Sequence, residues 1–301
     1  MPTGSALLRA HAPGAADALD AVVATTWTVA AHRDLTGLVA EAARRSAALL
    51  ALDPLTAGPG AQPGGPAALA GDGADAVLAF AEQCTLDVAS VTEEQRGRFV
   101  AAAGRGSGDL AAALWVVDMV PRTRAALDAL VGVGPWPEPP AAAGGDDLWA
   151  ALDGLIRTVP ALDALDPVTS ELIRLRGARQ HRCRLCMSVR SRPALRAGAD
   201  EATFDAVDHY RERDLAPLAR AALALVDAVL WTPGRIGADV VADLAAVATP
   251  AQQVEVVLDV TRNALNKIAV ALGADAPHVD EGIEVYDIGP DGSLVYGVPV
   301  D

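Results

Sequence analysis

Residues 166–198 read DPVTSELIRLRGARQHRCRLCMSVRSRPALRAG. Asp166 followed by Pro167 marks a helix start, with a side-chain acceptor at the N-cap and a proline where a helix needs no N–H. The helix is expected to run towards Gln180. Two of the three cysteines follow as Cys183-x-x-Cys186, and a carboxylate, Glu171, stands twelve positions before the first. Residues 171–196 hold one acid, Glu171, and eight arginines, a local +7 in a chain of formal net charge −15. Nearby cations or a helix N-terminus lower a thiol pKa below ~8.5 and favour the reactive thiolate, so the arginines are expected to help the dithiol ionise. A second helix, from near Arg182 to Gly198, is expected to carry both cysteines at i and i+3 on one face. On that helix Arg190 is i+4 from Cys186, and Pro193 kinks the chain just beyond.

Outward from this stretch, the pattern is helical almost throughout. Apolar residues make up 51% of the 301 and aromatic ones only 4%, so the core is built from Ala, Leu and Val, of which Ala and Leu are the best helix formers. Three- and four-residue spacing predicts two helices in 19–51, separated near Asp34, Leu35 and Thr36. Gly, Pro and Ala make 53–73 a loop. Helices follow at 75–86, after the N-cap Thr92, at 109–130, and at 147–158 beyond a Pro/Gly linker. Past the dithiol, Asp200 caps a further helix, and others cover 215–231, 238–247 and 250–272, the last with Thr249 as N-cap and Gly273 past its end. Residues 283–298 alternate around Gly289-Pro290-Asp291-Gly292, which predicts a β-hairpin. A lone hairpin is marginal in water, so it should pack on the helices or on a neighbouring subunit.

A shift of 145 residues superposes Leu78-Ala79 on Leu223-Ala224, Asp118 on Asn263, Arg122 on Lys267 and Ala126-Leu127 on Ala271-Leu272. The pattern reads as an internal duplication. Cys183, Cys186 and Glu171 then fall on Leu38, Glu41 and Thr26, so the first copy lacks the chemistry. The expected organisation is a degenerate helical domain over 1–131, a linker over 132–147, the dithiol domain over 148–274 and a hairpin tail over 275–301.

The combination of Glu171, LRGA (175–178), Cys183-x-x-Cys186, Gly198-Ala199-Asp200-Glu201 and NALNKIAVALG (263–273) resembles the AhpD-like group of the carboxymuconolactone decarboxylase family. The resemblance covers about residues 160–273, with the first half similar to a degenerate copy. It implies an all-α fold of tandem helical domains and a thiol-dependent peroxidase or disulfide oxidoreductase, in which Cys186 attacks, Cys183 resolves and Glu171 is the acid/base. It also implies assembly through helices, here as a dimer or trimer. The family carries a histidine four residues after the second cysteine, where this chain has Arg190, and often His or Tyr between the cysteines, where it has Leu185. Arginine can hold a thiolate but, with a pKa above ~12, cannot pass a proton, so the resemblance implies weak turnover at best.

Other readings of the same residues stay open. The cysteines are also suited to a buried core pair, Glu171 to an ion pair with Arg174 at i+3, and Asn263, Asn266 and Lys267 to hydrogen bonds between helices. His181-x-Cys183-x-x-Cys186 supplies three ligand types but no second pair at zinc spacing, so no metal and no cofactor is expected. Cys84 reads as core. A non-catalytic redox-responsive or structural oligomer, or a lactone decarboxylase-like enzyme, would also suit this chain. A pI of 4.7 argues against a nucleic-acid partner. No stretch reaches the ~18 apolar residues of a membrane span, and three cysteines form no secreted framework. A cytoplasmic protein acting on a small peroxide or a thiol/disulfide partner is expected.

Overall fold

The N-cap residues set most of the helix starts. The computed structural model describes residues 3–57, 69–140 and 143–300. Thr92 and Gln95 close a capping box, as do Asp200 with Thr203 and Thr249 with Gln252, while Asp147 and Asp166 accept from the first turns they precede. Each satisfies N–H groups that a helix start leaves without an internal partner. In chain order the helices of the first half are α1 (Gly4–His11), α2 (Pro13–His32), α3 (Thr36–Leu50), α4 (Asp72–Asp87), α5 (Glu93–Ala103) and α6 (Ser107–Val131). After the Pro/Gly segment come α7 (Leu148–Thr158), α8 (Pro167–Gln180), α9 (Arg184–Met187), β1 (Val189–Ser191), α10 (Arg192–Arg196) and α11 (Glu201–Asp205). The chain continues with α12 (Pro217–Trp231), α13 (Ala238–Val247), α14 (Pro250–Asn263), α15 (Asn266–Leu272), β2 (Glu284–Ile288) and β3 (Leu294–Tyr296).

The fold is therefore mostly α-helical with a short β element near residue 290. Residues 58–68 of the Gly/Pro-rich loop and 141–142 of the linker lie outside the described residues. Among the described residues no helix is long and apolar enough to cross a membrane.

The structure departs from the sequence reading at two helices and adds a strand to the expected hairpin. Helix α1 was not anticipated; Thr3 caps it through a hydrogen bond from Ala6 N. The helix expected over 250–272 breaks at Ala264–Leu265 without a proline or glycine. There the Ala264 carbonyl turns to accept the Trp115 indole N–H at 2.8 Å. The tail forms not an isolated hairpin but two strands of a three-stranded sheet. β2 pairs antiparallel with β3 and parallel with β1, matching Val189 to Glu284 and Ser191 to Tyr286.

The two halves share one continuous apolar cluster, to which Phe80, Phe99 and Leu127 contribute from one side and Leu172, Phe204 and Val257 from the other. Helices α12 and α13 begin 145 residues after α4 and α5. At the centre of this arrangement lies a buried charge cluster. Arg122, 1% exposed, donates to Asp118 at 2.8 Å, to the Thr85 carbonyl at 2.7 Å and to the Leu230 carbonyl at 2.6 Å. Thr85 and Leu230 occupy the last turns of α4 and α12, 145 positions apart, so one guanidinium serves the C-terminal carbonyls of both helices, where positive charge is favourable. Lys267, 145 positions after Arg122, forms an ion pair with the other oxygen of Asp118.

Asp118→Ala should leave two cations buried without their shared anion, a loss of about 3–5 kcal/mol. Urea unfolding of the variant against the parent measures it, and a change below about 1 kcal/mol would mean that the cluster does not hold the halves together.

Candidate functional site

The dithiol sits where α8 hands over to the sheet. Arg182 turns the chain with a left-handed φ of 51°, and Cys183 then N-caps α9, its sulfur accepting from Cys186 N at 3.2 Å. Cys183 and Cys186 form a disulfide with Cα atoms 5.3 Å apart, and Cys84 is free. The helix expected to run on to Gly198 is a single turn. Beyond Ser188 the backbone is claimed by the parallel pairing with β2, by Glu171, which accepts from Ser191 N at 3.1 Å, and by Arg174, which donates to the Val189 carbonyl at 2.9 Å. A new helix, α10, then starts with Ser191 as N-cap and Pro193 in its first turn.

This overturns the expected geometry at Arg190. With no helix between them, Cys186 and Arg190 do not share a face. The Arg190 guanidinium binds Glu201 at 2.8 and 3.0 Å, donates to the Met187 and Val189 carbonyls, and stacks over Phe204. Its donors are taken by oxygen atoms rather than by a sulfur. The arginine cluster as a whole follows the same logic. Six of the eight pair with carboxylates: Arg174 with Glu171, Arg176 with Asp227, Arg179 with Asp205 and Asp208, Arg184 with Asp275, Arg190 with Glu201 and Arg192 with Asp287. The local excess of positive charge ties this segment to α11, α12 and the tail. Asp275 also receives the backbone N–H of Arg184 at 2.9 Å, so the start of α9 already holds an anion.

Glu171 is fully buried and accepts four hydrogen bonds. Arg174 donates to both oxygens at 2.6 Å, Ser191 N to one, and the Tyr286 hydroxyl to the other at 2.8 Å. A carboxylate has about four acceptor positions, and all are filled. Arg174 goes on to donate to the Cys186 carbonyl at 2.7 Å. Glu171 thus reaches the dithiol through Arg174, and its one exchangeable neighbour is the Tyr286 hydroxyl, whose pKa is raised by burial and by the Glu171 charge.

Asn266 approaches the dithiol from the break between α14 and α15. Its Nδ2 donates to Cys186 Sγ at 3.6 Å, and its Oδ1 lies 2.8 Å from His181 Nδ1. Because Nδ2 is the donor to sulfur, Oδ1 accepts and His181 carries its proton on Nδ1. Burial, reinforced by the Lys267 charge, pushes the His181 pKa down to about 3, so the imidazole is neutral and fixes the amide. The sequence offered Asn266 only as a helix–helix hydrogen bonder, because nothing in NALNKI announces the break that aims it at the sulfur. Tyr286 escaped notice because its partner lies 115 positions away.

Cys186 opens onto a cleft of about 230 Å³ whose lining includes Ile156, Leu185, Arg262, Leu265, Leu294 and Tyr296. Cys183 is 1% exposed and lies behind it. A second, larger cleft shares Arg174, Arg262, Asn263 and Tyr286 with the first and reaches Glu255 and Asp259. Cys84 stands apart, beside Asp118 and Lys267, with burial pushing its thiol up to about 12. Among the described residues no group of side chains could hold a metal ion.

Asp259 is buried, and its Oδ2 has no hydrogen-bond partner among the described residues. Burial, and then the charges of Glu255 and Glu171 against that of Arg262, lift its pKa to about 7. The folded state therefore holds this proton more tightly than the unfolded chain. The contribution is favourable below the ordinary carboxylate range and is lost as pH rises towards about 7. Asp259→Asn should raise the melting temperature relative to the parent most at pH 8, by less at pH 5 and little at pH 3. A difference independent of pH would contradict this account.

No family model matches the chain, and no solved structure matches it. Two proteins of Mycobacterium tuberculosis do, the uncharacterized protein Rv2313c of strain H37Rv and the uncharacterized protein MT2376 of strain CDC 1551. Each is 43% identical over an alignment of 232 residues that covers 74% of this chain and 81% of the relative. At that identity and coverage, the chain belongs to the same family as these two mycobacterial proteins.

Proposed function

We propose that the protein is a cytoplasmic thiol oxidoreductase of AhpD-like type, in which Cys186 is the attacking thiol and Cys183 the resolving one. The observation that carries this reading is the asymmetry of the pair: the two sulfurs are within bonding reach, yet only Cys186 faces the cleft. Its thiolate would attack the terminal oxygen of a hydroperoxide, breaking the O–O bond to give an alcohol and a Cys186 sulfenic acid. The Cys183 thiol then displaces water from that sulfur and closes the disulfide, and an external dithiol reduces it again.

Two features support the reading in place of the missing histidine. Asn266, held by neutral His181, offers the Cys186 sulfur a hydrogen bond, which favours the charged form of a thiol. Tyr286 lines the same cleft, and its hydroxyl donates to Glu171, which ties the family's acid/base position to the cleft wall. Arg190 plays a structural part in this proposal and holds β1 to α11.

Limited oxidation with cumene hydroperoxide, followed by mass spectrometry and dimedone trapping, tests the assignment. The parent should lose two hydrogens as the Cys183–Cys186 disulfide, and Cys183→Ser should accumulate a dimedone adduct on Cys186 alone. Adducts on Cys84, or none, would overturn it. Asn266→Leu should raise the pH at which iodoacetamide labels reduced Cys186, whereas Arg190→Gln should leave it in place. An unchanged profile in Asn266→Leu would remove Asn266 from the site.

A further inference from the structure

Three arginines line the two connected clefts, and they differ in one respect. Arg157 pairs with Asp153 and Asp291, and Arg174 with Glu171. Arg262 has no carboxylate partner among the described residues. Its Nε donates to the Ile156 carbonyl at 3.2 Å, which fixes the plane of the guanidinium, and its two terminal nitrogens have no acceptor among the described residues. Those nitrogens are the fork that binds carboxylates with two parallel hydrogen bonds. Arg262 lines both clefts, and Ile156, Leu185, Leu265 and Leu294 line the first together with it and Cys186.

We infer that the Cys186 cleft takes an amphipathic organic anion, with its carboxylate on Arg262 and its alkyl portion against Ile156, Leu185, Leu265 and Leu294. An apolar cavity with one well-placed polar anchor is the usual composition of a small-molecule site. The charged groups around the anchor permit this. Glu171 and Arg174 neutralise each other, and Arg157 is engaged by Asp153 and Asp291. Glu255 is turned to the backbone N–H groups of Ala164 and Leu165. Asp259, three residues before Arg262, keeps its proton up to about pH 7. Among the described residues that line the Cys186 cleft, Arg262 is thus the charged side chain without a carboxylate partner. As a substrate class, the inference rests on the proposed thiol chemistry and selects hydroperoxides that carry a carboxylate; as a binding site it does not need turnover.

Binding is therefore measured on the disulfide form, by isothermal titration at pH 6.5 with octanoate, n-octanol and n-octylammonium as probes. Octanoate should bind the parent at least tenfold more tightly than octanol, a ratio that a charge-assisted hydrogen bond supplies, and octylammonium should not bind. Arg262→Gln should lose that preference and Arg262→Lys should keep part of it. Equal affinity for octanoate and octanol in the parent, or an octanoate affinity untouched in Arg262→Gln, would overturn the inference. The parent comparison stands even if a variant fails to fold. Octanoate binding without peroxide-driven disulfide formation would sink the proposed chemistry and leave the anion site. Disulfide formation without octanoate binding would do the reverse.

Discussion

The structure depends on one buried carboxylate. Asp118 holds Arg122 with one oxygen and Lys267 with the other, and Arg122 in turn gathers the C-terminal carbonyls of α4 and α12. Two cations brought this close inside a protein repel each other unless an anion lies between them. Asp118 therefore fixes the distance between α6 and α15. The position that matches it 145 residues on is Asn263, which carries no charge. Two like copies in that centre would place two acids beside two bases. The asymmetric version keeps a single acid and uses it twice.

That constraint places the site. Lys267 adjoins Asn266, and the break before α15 turns Asn266 towards the Cys186 sulfur while its carbonyl side meets His181. The Lys267 charge in turn helps to keep His181 neutral. The centre that joins the halves is thus one residue from the centre that addresses the dithiol. At the same break the Ala264 carbonyl accepts both the Lys267 N–H and the Trp115 indole N–H, so the first half supplies part of the geometry that the second half uses.

Much of this was legible in the sequence, and the division has a physical cause. Thr92, Asp166, Asp200 and Thr249 act on N–H groups two or three residues away, so local sequence suffices to find the helices they open. The pairing of Arg174 with Glu171 is local in the same sense. The single-turn α9, the strand at Val189–Ser191 and the fate of the arginines were not legible. Each depends on a partner far along the chain: β2 for the strand, Asp227, Asp275 and Asp287 for Arg176, Arg184 and Arg192. A run of arginines beside two cysteines reads as electrostatic activation until the acids that meet it are known. Asn266 was hidden for a similar reason, since an asparagine on a helix reveals its target only when the helix is seen to break.

The parallel pairing of β1 with β2 also orders events in time. Parallel strands cannot be joined by a tight turn, and here the connection spans α10 to α15. Closing so long a loop is slow compared with forming helices. On the ribosome, Glu171 and Ser191 are made well before Tyr286, so the dithiol segment waits without its third strand while the helices behind it assemble. Until then Ser188–Ser191 is an open edge with unpaired backbone groups. The helices between the two strands can thus form before the sheet closes, and the segment that carries the cysteines gains its last backbone partner only when the tail arrives.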